Sequence, residues 1–358
     1  MFKELNKLIQ FYSNKEYSFI TGNGTSAIYL ALKSSGLAKG SKIAVPNISC
    51  PDPVYSLLWA GYKPVFIDVN LDDYNINTDK LEYEIKKDKN IKGILAIHLF
   101  GNACDIVKIS KLSKKYNLFL LEDCAQAFGN EIEEGKLGSF GDCSVFSFGN
   151  GKIIEVGHGG SIQSNNREFI EKVKSEYSHL DDYDGGLIDK LSIKHRSIYY
   201  KLYYLGIKFP ILNILNMVYV YFFKKYYLFK IDKTKLTAIF DGLKSFDKEK
   251  EKRIKIIDIY ISELINVKNI VLPKMNNKES ILSRYTIVID KSEDISKEIR
   301  INNIPSNTMY PMLSDRFDIY MGKNKYKTSY ELKGKLLNLW TSDISVEKLY
   351  KMISILKG

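Results

Sequence analysis

Two short apolar runs, residues 118–121 and 144–148, each lead into one chemically distinctive residue. The first runs into LEDCAQAFG, which puts Asp123 at its end. The second lies within GSFGDCSVFSFGNGK and closes on a glycine-rich turn carrying Lys152. Short uninterrupted apolar runs read as strands buried in a sheet. Asp123 and Lys152 then sit at the carboxyl ends of two strands, where open α/β sheets bind their ligands. A carboxylate and an amine placed this way suit pyridoxal 5′-phosphate, which needs a lysine anchor and an acid facing its pyridinium nitrogen. A lone Asp that caps a helix and a lone solvated Lys are the commoner case, so the surrounding motifs must carry the assignment.

Upstream, a strand over 17–20 enters Thr21-Gly22-Asn23-Gly24-Thr25-Ser26-Ala27, followed by a helical run over 28–35. Strand, glycine turn and helix N-terminus form an anion-binding arrangement, because unpaired N–H groups and the positive helix end face the ligand. Thr25 and Ser26 add hydroxyls. The spacing Gly22-x-Gly24-x-x-Ala27 also fits a loose dinucleotide fingerprint, but that needs an acid about 20 residues on. The next strand, 42–45, ends in Pro46-Asn47 instead. A phosphate-holding turn is better supported, with a plain helix cap as the alternative.

The rest of the first half alternates in the same way. Strands are expected over 43–45, 64–68 and 91–98. Helices are expected over 51–60, over 78–87 (capped by Thr78-Asp79) and over 106–116. This alternation predicts an α/β fold with a mainly parallel sheet. A turn at 157–160, a strand over 161–163 and a helix over 167–179 follow Lys152. Residues 181–186 form an acidic, glycine-bearing boundary. Residues 187–231 are dense in Tyr, Phe, Ile and Leu and broken by lysines. Three readings stay open for them: a helical hairpin packed on the body or on a second subunit, a substrate-side flap, or a peripheral membrane anchor with snorkelling lysines. Residues 233–264 read as one long helix, or a pair, joining two domains. Beyond 266, a strand over 284–289 and helices over 296–302 and 346–356 give a small α+β domain. The division is 1–250 for the large domain, including the aromatic insertion 187–231, and 251–358 for the small one.

The 358 residues suffice for this arrangement. The 53 Lys and Arg against 42 Asp and Glu give a net charge of +11. The charge is spread along the chain without a basic block or a nucleic-acid motif, which argues against a nucleic-acid partner and favours anionic ligands. Cys50, Cys104, Cys124 and Cys143 form no CxxC pair and no zinc spacing. No metal is expected, and the thiols read as buried in a reducing cytoplasm. The N-terminus lacks a signal-peptide core and reads as an amphipathic helix.

GTSAIYLAL, VPNISCP, KPVFIDV, IHLFGNACDI, LEDCAQAFG, GSFGDCSVFSFGNGK and GHGGSI follow one another in order. Together they resemble the DegT/DnrJ/StrS family of pyridoxal-phosphate-dependent sugar aminotransferases, closely over 17–163 and loosely around Tyr310-Pro311-Met312-Leu313. The resemblance implies fold type I, with a mainly parallel seven-stranded sheet and a small C-terminal domain. It implies that Lys152 carries the cofactor and moves the proton. Asp123 would pair with the ring nitrogen, and Gln126 would lie near the ring 3-hydroxyl. Ser147 with Thr25 and Ser26 would hold the phosphate. His98 is either a ring-side contact or a satisfied strand-end histidine. Cys50 stands where the family usually stacks an aromatic on the ring, and SFGNGK replaces the commoner aromatic-Pro-Thr run before the lysine. The asparagine loop that reaches a neighbour's cofactor phosphate is not evident. The resemblance further implies a homodimer and ping-pong transfer from glutamate to a keto sugar, nucleotide-linked, in surface-polysaccharide or glycoconjugate synthesis. The alternatives are a lipid-linked or other non-nucleotide keto acceptor, or a non-catalytic cofactor-binding regulator. The family's dehydratases carry histidine in place of the lysine, so Lys152 argues against dehydration.

Overall fold

The structure, a computed structural model, describes residues 1–186, 224–277, 279–308, 310, 312–317 and 323–358. The apolar runs of the first half become β1 (Tyr17–Thr21), β2 (Lys42–Pro46), β3 (Lys63–Ile67), β4 (Ile91–Ile97) and β5 (Phe119–Asp123). After a small hairpin, β6 (Glu131–Ile132) and β7 (Gly135–Lys136), come β8 (Cys143–Ser147) and β9 (Gly160–Ser164). Seven of them form one sheet in the order β1-β9-β8-β5-β4-β2-β3. The pairs from β8 to β3 are parallel, and β9 runs antiparallel to both its neighbours. The expected mainly parallel α/β sheet is present.

Strand alternation explains why helices cover both faces. Ala44, Ile94, Ala96, Leu120 and Phe146 pack with α1 (Phe2–Ser13), α4 (Thr78–Lys87) and α5 (Ile106–Tyr116). Val45, Leu95, Ile97, Leu121 and Val145 point the other way, onto α2 (Gly24–Ser34), α3 (Asp52–Trp59) and α6 (Arg167–Ser178).

Several local expectations need correction. Helix α2 begins at Gly24, so most of the glycine turn is its first turn, capped by the Asn23 carboxamide accepting from Ser26 N at 2.6 Å. Helix α4 is capped by Asn77, which accepts from Lys80 N, rather than by Thr78-Asp79. Cys104, Cys124 and Cys143 are buried, whereas Cys50 is only half-buried.

The stretch 233–264 is a pair of helices, Lys235–Lys244 and Phe246–Leu264. The second crosses the expected 250/251 division. Its Phe246 lies in the core under the large sheet, while Ile256, Ile257, Tyr260 and Leu264 lie in a separate core. That second core belongs to an antiparallel sheet of β10 (Ile270–Val271), β11 (Arg284–Ile289), β12 (Ser306–Asn307) and β13 (Leu336–Trp340), ordered β10-β11-β13-β12. Strand β13 was not anticipated. Its LLNLW sequence is leucine-rich and carries helix propensity, and pairing with β11 overrides it.

Most of the aromatic stretch 187–231 lies outside the described residues. Its end, 224–231, runs over the Gly22–Ser26 turn. A Cβ on Gly22 would stand 2.1 Å from the Phe229 carbonyl oxygen, so only glycine fits there.

Asp68, following β3, ties the sheet to the late helix Lys327–Leu332. Its carboxylate accepts from Thr328 N (3.0 Å), Ser329 N (2.9 Å), Ser329 Oγ (2.6 Å) and Lys80 Nζ (2.6 Å). Burial pushes this carboxyl's pKa up, but the Lys80 and Ser329 contacts outweigh it and hold it below the ordinary value. Its contribution is therefore complete above the unfolded pKa, about 3.9, and is lost as pH falls through the lower folded value. In urea denaturation, Asp68→Asn should cost roughly 1–3 kcal/mol at pH 7. The gap from wild type should narrow below about pH 4. A constant gap down to pH 3 would contradict the assignment.

Candidate cofactor site

The site is built where strand ends meet. Thr21 and Ser147, on β1 and β8, both stand opposite Gly160 of β9. Gly160 has no room for a side chain, because a Cβ would lie 2.5 Å from the Asn23 carbonyl. The turn after β1 therefore crosses this point and lies against the end of β8. A Cβ on Gly24 would come within 2.9 Å of Ser147 Cβ and 3.0 Å of its Oγ. The N–H groups that head α2 lie here, Gly24 N directed at the Gly159 carbonyl and Thr25 N without an acceptor among the described residues. Ser147 Oγ, itself near Gly149 N at 3.4 Å, stands beside them. This small cradle at a helix N-terminus suits a phosphate.

Thr25 stays half-buried at this turn. Ser26 does not face the cradle: it is fully buried, and its Oγ donates to Tyr227 O at 3.2 Å while accepting from Phe229 N at 3.3 Å. The passing 227–229 backbone takes its hydroxyl, which corrects its expected place on the phosphate.

Asp123 ends β5, almost fully buried, with Oδ1 accepting from Ala125 N at 2.9 Å. Burial pushes its carboxyl up, and the Ala125 N–H and the Lys152 charge pull the other way. Such an acid gains from a further cation. Lys152 follows β8, half-buried, and its ammonium has no hydrogen bond or ion pair among the described residues. Its charge also reaches Cys50, whose thiol burial pushes well above the usual range.

Gln126 is nearly buried, and its Oε1 accepts from Phe100 N at 3.0 Å and Ser283 Oγ at 3.3 Å. Both donors fix the orientation of the amide and leave Nε2 as a donor without a partner among the described residues. A phenolic oxygen of a bound ring is what such a donor accepts.

His98 corrects the other way. It has no exposed surface, its Nδ1 accepts from Cys104 N at 3.1 Å, and its Nε2 lies 3.0 Å from Glu122 Oε1. With Nδ1 accepting, the proton sits on Nε2 and is donated to the carboxylate. The ring is satisfied structurally and offers nothing to a cofactor.

Glu122 was missed. It is adjacent to Asp123 but points to the opposite face of β5. Besides His98, its carboxylate accepts from Gly138 N (2.5 Å), Phe140 N (3.0 Å) and Gly141 N (3.2 Å). Burial pushes Glu122 up, and the His98 and backbone donors more than reverse it, leaving it below the ordinary value. Donor atoms of His98, Glu122 and Cys124 fall within 4.8 Å of one another. With both Glu122 oxygens taken by N–H groups, the trio reads as a structural network.

The helix Phe246–Leu264 and the antiparallel sheet reach in through two arginines, also unforeseen. Buried Arg253 pairs with Glu249 through Nε at 2.6 Å, and its Nη2 lies 3.5 Å from the Lys152 carbonyl. Arg284 opens β11 and lies against Gly151.

The profile of the DegT/DnrJ/EryC1/StrS aminotransferase family matches residues 2–340. The chain belongs to this family. The family's cofactor is pyridoxal 5′-phosphate. The unpaired Lys152 amine, the buried Asp123, the open Gln126 donor and the Gly24–Ser147 cradle all fit that group.

Among curated relatives of this family member, GDP-perosamine synthase of Escherichia coli O157:H7 is 33% identical over 171 residues, covering 46% of each chain. The UDP-4-amino-4,6-dideoxy-N-acetyl-β-L-altrosamine transaminase of Campylobacter jejuni is 35% identical over 169 residues, 47% of this chain and 44% of its own. The chain thus spans about half the length of the curated relatives it matches. A solved DegT DnrJ EryC1 StrS aminotransferase from Brucella abortus superposes over 100% of this chain and 89% of its own. Its TM-score is 0.79 at 22% identity, a likeness of fold alone.

Proposed function

We propose that this protein is a pyridoxal-phosphate-dependent aminotransferase. It moves an amino group from glutamate to a keto sugar, nucleotide-linked, for surface-polysaccharide or glycoconjugate synthesis, and works as a homodimer. The observation that carries the reading is the unpaired Lys152 amine on the loop after β8, with its charge acting on the buried Asp123 at the end of β5. Relatives named for GDP- and UDP-linked amino sugars support the acceptor class.

Bound cofactor supplies an electron sink for the charge left when a substrate carbon loses its proton. Lys152 holds the cofactor through its amine. The same amine, when free, would take the proton from the donor's α-carbon. Asp123 would hold a proton on the ring nitrogen, since a buried carboxylate without a cationic partner is costly. Gln126 Nε2 would donate to the ring oxygen, and the Thr25 amide with Ser147 would hold the phosphate. The keto sugar follows the departing 2-oxo acid into the same site, which makes the order ping-pong.

The test is the visible spectrum of the purified, cofactor-loaded protein. Glutamate is expected to bleach the yellow band with formation of 2-oxoglutarate, and a keto-sugar nucleotide should restore it. A colourless protein that takes up no added cofactor would overturn the reading.

A further inference from the structure

Arg284, half-buried, differs from the buried cation near this site. Arg253 is neutralised by Glu249. Arg284 has no carboxylate within ion-pair distance among the described residues. Its Nη1 donates to the Ser283 carbonyl at 2.5 Å, and its guanidinium carbon stacks 3.6 Å from the centre of the Trp340 ring. Burial makes its charge costly and draws its pKa down to about 10. Glu155, the nearest acid on the lysine loop, instead accepts from Gly151 N at 2.8 Å.

The guanidinium is aimed by its neighbours. Ser283 is anchored to the turn after β4, its N donating to the Phe100 carbonyl at 2.8 Å and its hydroxyl shared between that carbonyl, at 3.1 Å, and Gln126 Oε1, at 3.3 Å. Trp340 backs the plane of the group. Arg284 Nη2 would stand 2.7 Å from a Cβ on Gly151, so the approach depends on glycine there, at φ +74°. That position is one residue from Lys152.

We propose that Arg284 receives the α-carboxylate of the amino-acid donor. A planar guanidinium held by stacking suits a bidentate carboxylate. The position beside the lysine loop favours this anion over the diphosphate of a sugar nucleotide. The α-carboxylate is one bond from the carbon whose proton Lys152 takes, whereas the diphosphate lies a sugar ring away from it. The inference rests on the aminotransferase reading and assigns its donor subsite.

Arg284→Gln and Arg284→Lys test it. In Arg284→Gln, half-maximal bleaching by glutamate should need on the order of 10–100 times more glutamate, the loss typical of a charged hydrogen-bond pair. Benzylamine, which lacks the carboxylate, should react at the wild-type rate. Arg284→Lys should fall between, since it keeps the charge without the fork. An unchanged glutamate requirement, or an equal loss with benzylamine, overturns the proposal.

A second readout needs no cofactor. Succinate should change the emission of Trp340 in the cofactor-free wild type and not in Arg284→Gln. No change in wild type, the same change in both, or an Arg284-dependent response to uridine diphosphate instead of succinate also overturns it. If wild type fails to bleach with glutamate yet shows the Arg284-dependent succinate response, the donor reaction falls and the carboxylate site stands.

Discussion

Lys152→Ala is expected to abolish the glutamate half-reaction, slowing bleaching by about 10⁴-fold or more, with unfolding unchanged. Two losses combine. The variant has no amine to hold the cofactor, and none to take the donor's α-proton. Its stability should survive because the Lys152 amine makes no hydrogen bond or ion pair among the described residues. The backbone of the loop is held separately, with Lys152 N donating to Gly149 O and the Lys152 carbonyl near Arg253. The measurement pairs stopped-flow absorbance with urea unfolding. Normal turnover in this variant would remove the lysine from the mechanism. A matching loss of stability would mean that the residue supports the fold instead.

Glu122→Ala should have the opposite profile, a loss of roughly 3–5 kcal/mol in folding stability. The substitution leaves the Gly138, Phe140 and Gly141 amides and the His98 Nε2–H without their acceptor inside the protein. It also removes the negative charge that acts most strongly on Lys15. That nearly buried lysine reaches the Ser139 and Gly141 carbonyls at 2.9 and 2.7 Å. Burial lowers the Lys15 pKa, and Glu122 counters it. In urea denaturation, a loss under about 1 kcal/mol would show that water replaces the carboxylate. Glu122→Gln should cost less, because the amide oxygen keeps an acceptor but its NH₂ faces donors.

Asp123 and Lys152 stood out because one ends a short apolar run and the other lies in the glycine turn after a second, and that pattern survives in one dimension. Glu122 was hidden by the same pattern. One residue of strand register turns it to the opposite face, and only the packed 138–141 loop discloses its partners. Ser26 stood in the right motif, yet its hydroxyl was claimed by backbone some 200 positions later in the chain. His98 could be read either way from sequence, and the Cys104 amide decided it. Arg284 looked like an ordinary strand-opening residue. Its role depends on Gly151 and Trp340, each far from it in sequence.

The sequence by itself determined the alternation of buried strands and amphipathic helices, the glycine turn that opens α2, the acid at a strand end and the amine in the loop after another strand. Those are local patterns of period, turn chemistry and strand termini, and local forces suffice to specify them. Only the tertiary structure decided which side chains remain available. Packing brought the 224–231 segment onto Ser26, the Cys104 amide onto His98, three loop amides onto Glu122, and the Arg284 guanidinium onto the lysine loop. A polar group is free or committed according to the neighbours that desolvate it, and those neighbours are set by long-range packing.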